Sequence, residues 1–306
     1  MMTMRTRFRP DHQLTTRMLV TVFLLGLVYV AFIVALILLI KSVVVVVLIA
    51  GGLLFTQFWF SDRIALYAMR ARIVTPEEEP HLHGMIDRLC ATADMPKPRV
   101  AVADMELPNA FAAGRSTRRA VLCVTTGLTR RLDTGELEGV LAHELSHVAH
   151  RDVVVMTVAS FLGVVAGLIA RFAFYSTLFG GGRRDRDGGQ VFLLILAVMA
   201  VSAAVYAISF LLIRALSRYR ELAADRAGAQ LTGHPSALAS ALTKVSGDIA
   251  RIPTRDLRAA EAFNAFFFAP ALSPGFSLSS LMSTHPTLRQ RLDQLAALST
   301  ELGEVS

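Results

Sequence analysis

Asp133-Thr134-Gly135-Glu136-Leu137-Glu138-Gly139-Val140-Leu141-Ala142-His143-Glu144-Leu145-Ser146-His147 is the stretch from which the rest of this chain can be read. Asp133, with Glu136 three residues on, has the pattern of an N-cap and its capping partner. Leu137, Val140, Leu141, Leu145 and Val148 recur at helical spacing and predict a helix from about Thr134 to Arg151. Inside it lies H-E-x-x-H. Residues i and i+4 share one helix face, so the imidazoles of His143 and His147 can bind a single Zn²⁺ while Glu144 reaches a water on that ion. Only eight histidines occur in 306 residues, so chance alone seldom produces this pattern.

A zinc site that keeps one position open for water needs a third protein ligand. Glu221 and Asp225, in Arg220-Glu221-Leu222-Ala223-Ala224-Asp225, stand at i and i+4 on a further expected helix that follows an apolar run. Glu221 is expected to ligate the metal. Asp225, one turn on, is expected to take the outer N–H of a ligand histidine and so fix its tautomer. A lone carboxylate pair at this spacing is more often a solvated face, and it is the H-E-x-x-H stretch that favours the metal. The donor set suits one Zn²⁺ per chain, although other divalent ions can occupy such ligands.

The chain is 54% hydrophobic, with a mean hydropathy of +0.51 and a formal net charge of +7. Long uncharged runs account for this: Met18 to Ile40, Ser42 to Ser61, Val153 to Ala170 and Gly188 to Ile213. About 18 to 25 apolar residues cross a hydrocarbon layer, which predicts four transmembrane helices, the third run being the shortest. The first run is too long for a signal peptide and lacks a small-residue cleavage site, so it reads as an uncleaved anchor. Four arginines precede it, and Arg63, Arg70 and Arg72 follow the second run, placing both ends of that hairpin in the cytoplasm. Arg171, Arg183, Arg184 and Arg186 would lie outside, against the rule, but only a hairpin returns His147 and Glu221 to one side. Arg214, Arg218 and Arg220 after the fourth run favour the cytoplasmic side. The basic excess therefore flanks membrane, and a nucleic-acid partner has little support. Cys90 and Cys123 form no C-x-x-C and read as plain thiols of a reducing compartment.

Between Arg63 and Asp152 the composition is that of a soluble domain. Thr75, Pro76 and the three glutamates after them predict the start of a helix reaching about Ala93, with Leu82, Met85, Ile86 and Leu89 on its buried face and His81 and His83 exposed. Pro98 to Ala103 and Ala120 to Thr125 are β-like, with Pro108 to Gly114 between them, so a small sheet packed on the zinc helix is expected. An edge strand there could pair with an extended peptide. Further helices are expected from about Ser236 to Ala250 and near Leu288 to Leu298. Phe263 to Phe276 is apolar but too short to span, and reads as core or as a membrane-surface contact; Gly180 to Gly182 mark a flexible loop.

With these pieces placed, the chain resembles the HtpX family of bacterial inner-membrane zinc proteases and, more distantly, the eukaryotic CAAX prenyl endoprotease. The resemblance rests on Pro108-Asn109-Ala110-Phe111-Ala112, on His143 to His147 with His150-Arg151-Asp152 after it, on Arg220 to Asp225, and on Ser283-Thr284-His285-Pro286. It implies His143, His147 and Glu221 as zinc ligands, Glu144 as catalytic base and Asp225 as the carboxylate behind the ligands. It further implies that Asn109 sits on the strand that receives substrate, that His285 faces the active site, and that Arg291 pairs with Asp225. Since the oxyanion of a peptide hydrolysis needs a donor besides zinc, His285 is the candidate for that catalytic role. Where the family often has a second proline, this chain has Thr287.

The expectation is a mainly α integral membrane protein with four transmembrane helices and a cytoplasmic zincin-like α+β domain containing a small β-sheet. Its parts are residues 1–62, an N-terminal transmembrane hairpin; 63–152, carrying H-E-x-x-H; 153–213, a second hairpin; and 214–306, carrying the third ligand. Family resemblance implies a zinc metalloendopeptidase of the bacterial inner membrane, multi-pass with both termini cytoplasmic, that cleaves damaged or misfolded membrane proteins in quality control. Its partners would be protein substrates and the lipid bilayer. A prenyl-peptide processing protease and a non-catalytic membrane scaffold are the alternatives.

Overall fold

The computed structural model describes residues 12–39, 69–114, 116–152, 188–251 and 285–303, with isolated residues between 52 and 67 and between 155 and 170. Its described part is mainly helical around one small mixed sheet: α1 (His12–Leu39), β1 (Arg72–Ile73), α2 (Pro80–Ala93), β2 (Arg99–Ala103), β3 (Ala110–Ala113), β4 (Val121–Thr125), α3 (Thr126–Arg131), α4 (Thr134–Ala149), α5 (Gly188–Thr232), α6 (Pro235–Arg251) and α7 (Leu288–Leu302).

The chain divides into two units. One comprises residues 16–58 and 155–216, the other residues 1–15, 59–154 and 217–306. In the first, Leu25, Tyr29, Ala159 and Leu216 form one buried cluster and Phe32, Ala166 and Val205 another. The Tyr29 hydroxyl donates to the Ala159 carbonyl, so its polar end is satisfied inside that apolar packing. Among the described residues α1 and α5 are the two helices long and apolar enough to cross a membrane. Ser42 to Ser61 and Val153 to Ala170 lie mostly outside the described residues, as do Gly180 to Gly182 and Phe263 to Phe276.

In the second unit the sheet runs β1-β2-β4-β3, with β2 and β4 parallel and both outer pairs antiparallel. Strand alternation sorts its side chains. Val100, Val102, Ala110, Leu122 and Val124 join the core under α2, α4, α6 and α7, whereas Ala101, Ala103, Phe111, Ala113, Val121 and Cys123 pack with Met69 on the other face. Burial pushes the thiols of Cys90 and Cys123 up to about 11 and about 12, which keeps both protonated and unreactive.

The capping box expected at Asp133 is formed. Asp133 accepts from the Glu136 N–H and Glu136 from the Asp133 N–H. Glu136 is otherwise buried and also accepts from Ser240 (2.6 Å) and pairs with Lys244 (2.5 Å), so the cap of α4 doubles as its anchor to α6. Two local expectations are corrected. Helix α2 starts at Pro80, not near Thr75, because the Glu78 carboxylate folds back on the Thr75 N–H and holds residues 75–79 as turns. His83 is buried, not exposed, with Nε2 3.1 Å from the Val74 carbonyl, while His81 is exposed as expected. The expected helix after the fourth apolar run is not separate either. α5 continues unbroken from Gly188 to Thr232 and carries Glu221 and Asp225 in its later turns.

Helix α5 crosses α4 at Gly228. A Cβ there would lie 2.8 Å from the His143 nitrogen and 3.0 Å from its Cα, closer than packed atoms approach, so only glycine permits this contact. Gly228→Ala is expected to lower the stability of detergent-solubilised protein by about 1–3 kcal/mol through overpacking. Gly84→Ala, in α2 with nothing within 4 Å of the added carbon, is expected to raise it by about 0.5–1 kcal/mol. Thermal melting of the two variants against wild type checks both signs.

Candidate metal centre

His143 and His147 lie one turn apart on α4 with their Nε2 atoms 3.2 Å from each other. Glu221, from α5, places Oε2 3.7 Å from His143 Nε2 and Oε1 3.4 Å from His147 Nε2. One ligand atom from each of these three residues lies within 4.8 Å of the others.

Carboxylates occupy the opposite ring nitrogens. His143 Nδ1 is 2.9 Å from Asp225 Oδ1, and His147 Nδ1 is 2.5 Å from Asp152 Oδ2. An ionised carboxylate only accepts, so each Nδ1 is the donor toward its aspartate and each Nε2 is turned to Glu221 and to the other imidazole. Two imidazole nitrogens converging with one carboxylate are the donors zinc takes. The residues present therefore fit the ion. Burial lowers the pKa of His143, against the opposing pull of Asp225, and keeps the ring neutral as a ligand must be.

Each supporting aspartate is itself held by an arginine. Arg291, on α7 and 1% exposed, grips Asp225 through two hydrogen bonds of 2.7 and 2.6 Å. Burial raises the pKa of Asp225 and Arg291 more than reverses this, so the carboxyl stays ionised. Arg220, on α5, donates to the Asp152 carboxylate at 2.5 Å and to the Asp152 main-chain carbonyl at 2.7 Å. His285 lies just before α7, buried, with Nδ1 3.2 Å from Glu221 Oε2. Burial works against ionisation of Glu221, yet His285 and His147 draw its pKa well below the usual carboxylate range. Thr287, in place of the family's second proline, is the N-cap of α7 and forms a capping box with Gln290.

Glu144 is buried beside the triad, and burial pushes its carboxyl up to about 8 while His147 draws it down. The Ala112 main chain of β3 also draws it down. β3 is the outer strand of the sheet. Asn109, just before β3 and fully buried, accepts from the Thr125 main-chain N–H through its C=O and donates its own N–H to the Thr125 hydroxyl. Alternation then turns the main-chain groups of Ala110 and Ala112 to the outer edge of the strand, which pairs with no other strand among the described residues.

The structure thus gathers His143, Glu144, His147, Glu221, Asp225, His285 and Arg291 in one place, and sets Asn109 at the inner side of the adjoining strand. Sequence reasoning counted Asp152 and Arg220 among the resembling motifs but gave Asp152 no role and read Arg220 as a membrane-flanking charge. Arg151, at φ 56°, turns the chain after α4 so that Asp152 folds back on His147. No helical spacing predicts that return. The available signal was an aspartate directly behind the zinc helix and an arginine directly ahead of the third ligand.

Residues 76–299 match the model of Peptidase family M48, a span that contains every residue of the site. Protease HtpX homolog 1 of Streptomyces coelicolor is 68% identical over 301 residues, covering 98% of both chains. The Protease HtpX homolog of Moorella thermoacetica is 50% identical over 98% of this chain and 99% of its own. In fold, the chain is similar to the crystal structure of S. mikatae Ste24p, with a TM-score of 0.54 at 18% identity over 93% of this chain and 67% of that one.

Removing Arg291 would strand the Asp225 charge in the interior. Arg291→Ala is expected to destabilise the protein by about 3–5 kcal/mol, read as a lowered thermal midpoint, with Arg291→Lys falling between the two because lysine cannot donate the paired bonds.

Proposed function

The chain belongs to peptidase family M48, and from that premise we propose that it is a membrane-embedded zinc endopeptidase in which Glu144 drives the attack of water on a peptide carbonyl. The observation that carries this reading is Glu144 itself, a buried carboxyl next along α4 to the first histidine of the His143–His147–Glu221 triad and influenced by His147, Glu221 and the Ala112 main chain of the outer strand.

Bound zinc would lower the pKa of a coordinated water to about 7 and polarise the substrate carbonyl. His143, His147 and Glu221 would hold it, with Asp225 and Asp152 keeping both imidazoles in the tautomer that offers Nε2. Glu144 takes the proton from the attacking water and returns it to the leaving amine, so the carboxyl ends the cycle as it began. His285, with Nδ1 3.2 Å from Glu221 Oε2, serves as the N–H donor to the oxyanion. The substrate backbone pairs with the main-chain groups of Ala110 and Ala112, and Asn109 fixes that strand by its bonds to Thr125.

Recognition through main chain accepts extended segments of many sequences. That supports misfolded or damaged membrane proteins as substrates, cleaved in quality control. Arginines flanking the apolar runs support an inner-membrane protein with four spans and a cytoplasmic catalytic unit.

Zinc content and casein cleavage, measured together on detergent-purified wild type and Glu144→Ala, test the reading. About one zinc per chain is expected in both, with turnover in the variant reduced by at least about 10²–10⁴. Equal cleavage by the two proteins would end the role of Glu144. Absence of zinc from both after reloading would end the metal site.

A further inference from the structure

The family and the triad leave Asp152 and Arg220 without an assigned part, and their place in the chain is informative. The chain leaves the catalytic unit after Val154 and re-enters it at Ser217. Asp152 lies two residues before the exit and Arg220 three residues after the return, so their contact closes the neck of the inserted segment. Both are buried, at 7% and 4% exposure. Arg220 holds Asp152 at two points, the carboxylate and the main-chain carbonyl, which fixes the position of the residue as well as the direction of its side chain. The same Oδ2 oxygen that meets Arg220 also faces His147 Nδ1. Arg220 is moreover the residue before Glu221, so one arginine locates the support of the second ligand and the start of the third.

We propose that Asp152, gripped by Arg220, is the positioning residue for His147, so that the zinc site is complete only while the neck between residues 152 and 220 is closed. Separation of these two residues withdraws the acceptor from His147 Nδ1 and releases both the tautomer and the ring orientation. His143 is buffered from such a change, because its support comes from Asp225 and Arg291, beyond the return point.

This inference rests on the metal reading of the triad, and zinc affinity separates the two. Full-length, detergent-solubilised, metal-stripped protein is titrated with zinc against a competing fluorescent chelator for wild type, Asp152→Asn, Arg220→Lys and the double variant. The visible spectrum of each cobalt-loaded protein and the melting of each metal-free protein are recorded alongside. Asp152→Asn is expected to weaken zinc binding about 10–100-fold and to shift the cobalt bands. The double variant should bind no more weakly than Asp152→Asn alone, because Arg220 acts through Asp152. If Asp152→Asn does not fold, Arg220→Lys carries the same test, since it keeps the charge but cannot hold carboxylate and carbonyl together. A purely structural clasp would lower the melting temperature while zinc affinity and cobalt bands stayed those of wild type, and that result overturns the proposal. Wild type that takes up no zinc overturns the triad, and this inference with it.

Discussion

A carboxylate with no solvent exposure sits between a histidine and an arginine from three different helices, and the catalytic unit is arranged so that this charge is never left alone. Asp225 on α5 meets His143 on α4 and Arg291 on α7. An uncompensated charge at that depth would cost several kcal/mol. Docking of α7 is therefore a condition of the α4–α5 contact, beyond any apolar area that α7 itself buries through Leu295 and Leu298. The approach of α5 to α4 needs Gly228, since a side chain there would press on the His143 backbone. A backbone requirement and a charge requirement thus converge on the same turn of α4, the turn that presents the metal-facing imidazole.

Beside this polar seam, the sheet does two jobs with one alternation. Its inner face supplies Val100, Leu122 and Val124 to the core that seats α4, and its last strand keeps an edge for pairing. Glu144, buried on α4, feels the main chain of that strand at Ala112. Under the proposed mechanism a base serving both a water and a departing amine has to lie at the junction of metal and substrate. The place of Glu144 is set by the packing of β3 on α4, not by any property of the glutamate.

How much of this was legible in the sequence depends on whether the determining interactions are local. The capping box at Asp133, the i, i+4 pair of histidines and the i, i+4 pair Glu221 and Asp225 are all fixed by helical geometry, and the structure has them. Arg291 as the partner of Asp225 was reached through resemblance, not through spacing, because the two meet across a long sequence separation. The start of α2 was misplaced because a glutamate run near a proline resembles a first turn. The competing bond from Glu78 to the Thr75 N–H lies outside that pattern. His83 could not be placed because its face is settled by the Val74 carbonyl of a neighbouring segment. Asp152 was invisible for a stricter reason. It acts only after the chain reverses at Arg151 into a conformation that a non-glycine residue seldom adopts, and neither composition nor period announces that turn.

The separation of the ligands along the chain follows a related logic. Two candidate ligands, the histidines, come from one helix, and the third arrives only after the apolar insertion. Closing so long a segment costs little more than closing a short one, since each doubling of length adds only about 0.6 kcal/mol. Distance is therefore not the obstacle; orientation is. It is met locally: Glu221 and Asp225 stand one turn apart on α5, the Gly228 approach seats that part of the helix on α4, and the Arg291 grip fixes the Asp225 turn. Without those two constraints the third candidate ligand would be free to rotate away from His143 and His147.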